Sequence, residues 1–518
     1  MNQNFLRGLA CTPLLCACTS AANPSGADAS LTDASAVDAT TDGSAFDAGL
    51  DGPPPPTPTL PESDEAQKVE AWVKSAPLPS VDSNHFSVIG AVHFLTIGNG
   101  GVESVRSTGP KAFYDNAALV TDAVKAIDAQ MTHTLPNLAA GGLHFTRDVQ
   151  TVPWGMVEPE AGVYRYELLD ELVIKTQEAG IEFVANIMPF ADWDQATNPP
   201  AEAACTFMLQ TDTFYLTKGG RMGQLHDMEA FAKFVNKVAE RYDGDGVDDA
   251  PGLKRPVRFW KIYNEPESGT CGGYAKNISG FVTLMTRARQ AVLAACPSCK
   301  VINGGAAIPQ WRTSPVVNFW SDFAKAGGAD LVDVIAIHYN QGKNEPNEDQ
   351  DEYLEKQITT IHAQLGATKP VWMTEFGVLV KNPDQPPPPA DASVVLSQKT
   401  EAEAASWYFR RYAVGLAAGA NRFFSDAQSF FSQKIMWPFW INRLVEVKIG
   451  SFTAAKKLAA GQYEFTVGGK AVYALWSSVP ADLKGKVRVT DLYGKTTEVD
   501  ASTVSPTVAS PIFVEAAN

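Results

Sequence analysis

The chain has 518 residues, 45% hydrophobic and 10% aromatic, enough apolar material for a large core, which excludes a disordered or fibrous protein. Its 42 Lys and Arg against 58 Asp and Glu leave a net charge of −16, and with no basic run and no zinc-type Cys and His cluster this argues against a nucleic-acid partner. At roughly 150 residues per domain the length predicts two or three structural parts.

Residues 1–17 carry one positive charge, Arg7, and an apolar stretch from Leu9 to Ala17 that is too short to span a bilayer as a helix, and they read as a signal peptide. Leu15-Cys16-Ala17-Cys18 resembles a bacterial lipobox, which implies that Cys18 is lipidated and begins the mature protein. An ordinary cleaved signal peptide is the alternative, and both readings export the protein. No other apolar run approaches the roughly 20 residues of a membrane helix, so membrane attachment is expected only through the N-terminus. Residues 18–67 hold nine acidic residues and no Lys or Arg among Ala, Ser, Thr and Gly, ending near the run Pro53 to Pro56. Such a segment cannot bury enough apolar surface to offset its ordering entropy, and it reads as a solvated tether. Of the seven cysteines, Cys205, Cys271, Cys296 and Cys299 lie beyond the leader, an even number suited to disulfides in an oxidising compartment. Cys296-Pro-Ser-Cys299 lacks a second such pair and a thioredoxin-like context, so a local bridge is expected there; Cys205 and Cys271 would then pair with each other, which spacing alone does not establish.

Over residues 80–459 short β-rich runs alternate with longer helical patterns, the signature of a parallel sheet with crossover helices. Eight strands are predicted, at His85 to Ile97, Leu143 to Asp148, Phe183 to Met188, Val257 to Tyr263, Val301 to Gly304, Val332 to His338, Val371 to Glu375 and Arg422 to Ser425. Eight suggests a closed α/β barrel of the (β/α)8 TIM type. Between them Met228 to Tyr242, Ser279 to Ala295 and Val316 to Ala326 repeat apolar residues at helical steps, with Asp227, Asn277 and Gly327-Gly328 as stop and start signals. Residues 460–518 change to alternating strands, Tyr463 to Val467, Ala471 to Trp476, Lys486 to Leu492, Thr496 to Val499 and Pro511 to Val514, which read as a small antiparallel β module docked on the barrel.

In such a barrel the functional groups sit at the C-terminal ends of the strands. Strand four ends Asn264-Glu265-Pro266-Glu267 and strand seven ends Thr374-Glu375-Phe376-Gly377, carboxylates that are costly directly after buried strands unless partners or a reaction require them. These segments, with Arg147 on strand two and the Trp154 to Tyr164 stretch WGMVEPEAGVY, resemble the clan A glycoside hydrolases, retaining (β/α)8 enzymes, most of all family 39 and then family 5. The resemblance implies Glu265 as acid/base, Glu375 as nucleophile, Asn264 as donor to the sugar 2-hydroxyl, Arg147 beside the nucleophile and His338 as a site residue. It implies a carbohydrate substrate and no metal or other cofactor. The clan's tyrosine two positions after that histidine is Asn340 here, with Tyr339 one position on; strand neighbours face opposite ways, so either strand six is irregular or Tyr339 does not take that role. Lys261 shares Glu265's face by the two-residue period, which a bulge near the strand end would resolve. Asp192 and Trp193 are candidates for the cleft rim, and Trp437 or Trp440 for a sugar platform. One glutamate alone reads as a surface residue, and the tryptophans equally as core. Two glutamates on the expected strands, with Arg147 in order, favour a retaining glycosidase acting on a β-linked oligo- or polysaccharide. A catalytically silent sugar-binding lipoprotein and a transglycosylase using the same residues are the alternatives; the sequence sets neither the sugar nor the oligomeric state.

Overall fold

The computed structural model describes residues 85–91, 97–148, 151–195, 216–218, 225–267, 273–307, 318–340, 351–380, 398–426 and 437–517. The leader with Cys18, the tether, and Cys205 and Cys271 lie outside the described residues. Eight strands alternate with eight helices: β1 Phe86–Ile89, α1 Ala117–Ala140, β2 Phe145–Arg147, α2 Glu167–Glu178, β3 Glu182–Met188, α3 Met228–Arg241, β4 Phe259–Ile262, α4 Ile278–Ala295, β5 Lys300–Ile302, α5 Phe319–Lys325, β6 Ile335–Asn340, α6 Asp351–Leu365, β7 Val371–Gly377, α7 Glu401–Ala417, β8 Ala420–Asp426 and α8 Trp437–Ile449. Every strand pair is parallel, in the order β5-β4-β3-β2-β1-β8-β7-β6. The ring is completed at β5. Lys300–Ile302 pairs with β4, and the short continuation Ala306–Ala307 pairs with β6, with an Ile302 to Val334 bridge between them.

Local chemistry explains the helices. Asp227 caps α3 by accepting from the backbone N–H of Glu229 and Ala230, worth about 1 kcal/mol, and Phe231, Phe234, Val235 and Val238 form the buried stripe it lays on the barrel. Thr400 and Glu403 form a reciprocal capping box that starts α7. Cys296 and Cys299 are bonded to each other between α4 and β5, the local bridge expected from their spacing.

The interior of the barrel has two layers. At the N-terminal end Ile89, Phe145, Val184, Ala336, Trp372 and Phe424 form an apolar plug. Arg422 closes it, its guanidinium 3.4 Å from the Phe145 ring centroid and 4.7 Å from that of Trp372. Toward the C-terminal end the same strands present polar side chains, Arg147, Lys261, His338 and Glu375, all buried.

The C-terminal sheet holds six antiparallel strands, β9 Phe452–Ala459, β10 Gln462–Val467, β11 Lys470–Leu475, β12 Lys486–Thr490, β13 Thr496–Asp500 and β14 Ile512–Ala516, in the order β9-β10-β11-β14-β12-β13. It begins at Phe452, earlier than the sequence pattern suggests, because β9 is largely exposed and carries Lys456 and Lys457 in place of a clear apolar alternation. The sheet docks through a core shared with the barrel, which includes Phe465, Trp476 and Phe513, and through polar contacts. Asp351 on α6 accepts from Arg411 and, at 2.7 Å, from the Trp476 indole N–H, while Phe409 packs on Phe513 and Lys448 pairs with Glu515 at 2.7 Å.

Candidate active site

The two glutamates and the basic residues predicted around them meet at the C-terminal mouth of the barrel. Arg147, at the end of β2, is fully buried; its Nη2 donates to Glu375 Oε1 at 2.7 Å and its Nε donates to Thr374 O at 2.8 Å. His338 lies between the glutamates, with Nδ1 2.8 Å from Glu265 Oε1 and 3.5 Å from Glu375 Oε2. One carboxylate oxygen of each glutamate and a His338 ring nitrogen lie within 4.8 Å of one another. Arg147 Nη2 is 3.2 Å from His338 Nε2, and a guanidinium can only donate, so Nε2 accepts and Nδ1 carries the proton that is donated to Glu265. The imidazole is therefore neutral. Its burial, then the charges of Lys261 and Arg147, hold its pKa well below the ordinary value, in agreement with that tautomer.

A bulge in β7 aims the second glutamate. Against β6, Ile337 pairs with Met373 but His338 pairs with Glu375; against β8, Phe423 pairs with Met373 but Ser425 pairs with Phe376. Both neighbours thus skip one residue of β7, at Thr374. Strict alternation from the inward Trp372 would turn Phe376 inward; the extra residue instead puts Glu375 on Arg147 and Phe376 outside, among Trp407, Tyr408 and Tyr412.

Glu265 reaches the site by a different device. β4 ends at Ile262 without a register shift, and the chain then enters the left-handed region at Tyr263 (φ 71°) and again at Glu265 (φ 46°). The expected bulge at Lys261 is absent: Lys261 does point into the barrel, and the turn after the strand carries Glu265 into the mouth beside it. The glycine pair that interrupts β5 makes room for this arrangement. Gly304 O accepts from the Glu265 N–H at 2.9 Å, and a Cβ on Gly305 would lie 2.0 Å from His338 Nε2. Asn303-Gly304-Gly305 is visible in the sequence as a break in strand five, the signal by which these positions were open to discovery.

Glu267, two residues beyond the acid, is buried, with Oε1 accepting from the Ala307 N–H and, at 3.1 Å, from the Trp320 indole, and with Oε2 making no hydrogen bond among the described residues. Burial pushes its pKa up to about 8. A carboxyl whose pKa is raised in the folded state leaves stability complete below its ordinary 4.5, and that stability is lost progressively as pH rises from there until the loss is complete at about 8. Glu267→Gln keeps the acceptor and cannot ionise. Its urea stability is expected to fall less than the wild type's between pH 5 and pH 9, by on the order of 3 kcal/mol; superimposable pH dependences would refute the protonated, buried state.

Two aromatic expectations are corrected. Tyr339 packs outside the sheet, stacked with Trp407 at 6.2 Å and beneath Arg411, because strand alternation turns it away from the neighbouring His338; β6 is also irregular there, as the register shift after Ile337 shows. Trp437 starts α8 buried against the C-terminal sheet, stacked on Tyr493 at 4.4 Å with its indole N–H on Leu492 O, so its ring has no open face for a sugar. Trp440 is core. Trp193 is half-buried, edge-on to Trp154, and donates to Glu158 O at 2.9 Å; among the described residues no ring contact or hydrogen bond joins it to the glutamate pair. Asp192 accepts from the Lys218 N–H through both carboxylate oxygens.

Residues 271–417, which include His338 and Glu375, match the family model described as glycosyl hydrolase catalytic core. That stretch, 147 of the 518 residues, is similar to a glycosyl hydrolase catalytic core and begins after Glu265. No curated protein matches it by sequence. Among solved structures, the chain is similar to the family 39 glycoside hydrolase from the gut symbiont Bacteroides cellulosilyticus WH2, at 13% identity and TM-score 0.49 over 85% of this chain and 83% of that one. It is similar to the monomeric beta-xylosidase from Caulobacter crescentus CB15 at 12% identity and TM-score 0.49, over 86% and 98% of the two chains. The alpha-L-arabinofuranosidase from Thermotoga maritima is similar at 12% identity and TM-score 0.44, over 83% and 95%. Identities this low show a shared fold alone.

Proposed function

We propose that the chain is a retaining glycosidase that cleaves β-linked oligo- or polysaccharides by double displacement. The observation that carries this reading is the closeness of Glu265 and Glu375, whose nearest carboxylate oxygens lie within 4.8 Å. A retaining pair stands roughly 5 to 5.5 Å apart, whereas an inverting pair needs about 6.5 to 9.5 Å to admit a water between acid and sugar. Glu375, held against Arg147, attacks the anomeric carbon. Glu265 gives its proton to the leaving oxygen and then deprotonates the water that releases the sugar. With Oε1 accepting from His338, the proton to be transferred sits on Glu265 Oε2. Asn264, next to the acid and partly exposed, donates to the 2-hydroxyl. The lipobox-like leader and acidic tether support an exported protein anchored through Cys18, with the barrel reaching outward to a glycan.

The test is sugar release by the soluble chain from residue 66 onward, against a panel of aryl β-glycosides and β-linked polysaccharides, with the anomer of the first product followed by proton NMR. The β-anomer appearing first is the expected result. The α-anomer would overturn the retaining mechanism, and silence across the panel would favour the sugar-binding reading.

A further inference from the structure

The site contains a cation that the double displacement does not use. Lys261 lies on β4, four residues before Glu265, and is fully buried at the level of the glutamates. Its Nζ donates to Tyr263 O at 3.0 Å, to Asn264 Oδ1 at 2.9 Å and to Gly304 O at 2.8 Å. Three acceptors around one nitrogen use three N–H groups, which only the ammonium possesses. Burial and then the nearby Arg147 hold the lysine's pKa well below its ordinary value, opposed by Glu375, Glu265 and Glu267, so the three hydrogen bonds are what hold the proton there. All its partners belong to the left-handed turn bearing Glu265 and to the glycine break of β5 on which the turn rests, since Gly304 O also takes the Glu265 N–H.

The contact with Asn264 has a chemical consequence. A side-chain amide has one accepting end and one donating end, and a free rotamer would offer either to a sugar hydroxyl. With Oδ1 committed to Lys261, the amide of Asn264 has its NH2 end turned away from the lysine. Only a fixed donor is correctly set for a 2-hydroxyl whose hydrogen bond strengthens in the transition state. We propose that Lys261 is a positioning residue that locks the Asn264 amide with its NH2 toward the 2-hydroxyl of the sugar being cleaved. This rests on the retaining reading and adds to it a reason for a buried lysine.

The experiment compares a dinitrophenyl glycoside of the preferred sugar with its 2-deoxy counterpart. The activated leaving group needs no proton from Glu265, so kcat/KM reports attack by Glu375 and the 2-hydroxyl contact. Lys261→Met is expected to lose roughly 10- to 100-fold on the parent sugar, the range of a charge-assisted hydrogen bond, and less than about threefold on the 2-deoxy sugar, as Asn264→Ala should. Adding Asn264→Ala to Lys261→Met should cost little more, because the two act through one contact. Lys261→Gln, which retains donors, supplies the same comparison should Lys261→Met not fold. Equal losses on both sugars, or no loss, would overturn the positioning role while leaving the glycosidase intact. A wild type inactive on both sugars would instead remove the retaining reading, and this inference with it.

Discussion

Glu375→Gln is expected to lower kcat by roughly 10⁴-fold or more on every substrate, whatever the leaving group, because among the described residues no other group is placed to form the glycosyl bond to the enzyme. The amide is nearly isosteric and keeps an oxygen where Arg147 Nη2 now donates at 2.7 Å, so the barrel should still fold. It removes the carboxylate that faces a buried guanidinium, however, and breaking a buried pair of this kind costs up to about 3 to 5 kcal/mol. A lower melting temperature with an unchanged circular dichroism spectrum should accompany the lost activity. A 2-deoxy-2-fluoro glycoside bearing a good leaving group should add its sugar mass to the wild type on the peptide containing Glu375. Full activity in folded Glu375→Gln, or labelling on a different peptide, would sink the assignment of the nucleophile.

Loss of the acid has a different signature. Glu265→Gln still presents an oxygen to His338 Nδ1 but has no proton to give, so kcat/KM should fall about 10³-fold on substrates with poor leaving groups. On dinitrophenyl glycosides it should fall by less than about tenfold, and kcat should then be limited by hydrolysis of the intermediate, since the base that activates water is missing as well. Added azide, which needs no base, should restore kcat and yield a β-glycosyl azide. The alkaline limb of the pH profile of kcat/KM, which reports deprotonation of the acid, should vanish in the variant. A uniform loss across leaving groups, without azide rescue, would assign Glu265 to structure and not to proton transfer.

Much of this site was legible in the chain because its chemistry and its strands coincide. Glu265 follows an apolar strand and Glu375 lies near the end of another, where an unpaired carboxylate is costly, while Arg147 and His338 were singled out by the resemblance to clan A enzymes. Strand periodicity points Lys261 into the barrel, where the structure has it without the bulge expected to remove it, and Tyr339, expected at the site, lies outside among Trp407 and Phe376. Trp437 shows where such reading ends. Its sequence neighbourhood suits a sugar platform, but its ring is covered by Tyr493, from a sheet some fifty residues further along the chain.

The amino-acid sequence by itself determined the alternation of strands and helices, the separate C-terminal sheet, the local Cys296 to Cys299 bridge and the two glutamates after apolar strands, because periodicity, caps and the cost of burying charge act over short stretches of chain, while the other residues at the mouth were marked by the family resemblance. Only the tertiary structure decided how those residues face one another. The bulge at Thr374 exists by reference to β6 and β8, the left-handed turn of Glu265 is pinned by Gly304, and the orientation of Asn264 depends on a lysine that Gly304, from another strand, also holds. Each is a property of groups distant in sequence and in contact in space, and such contacts leave no periodic trace in a single chain.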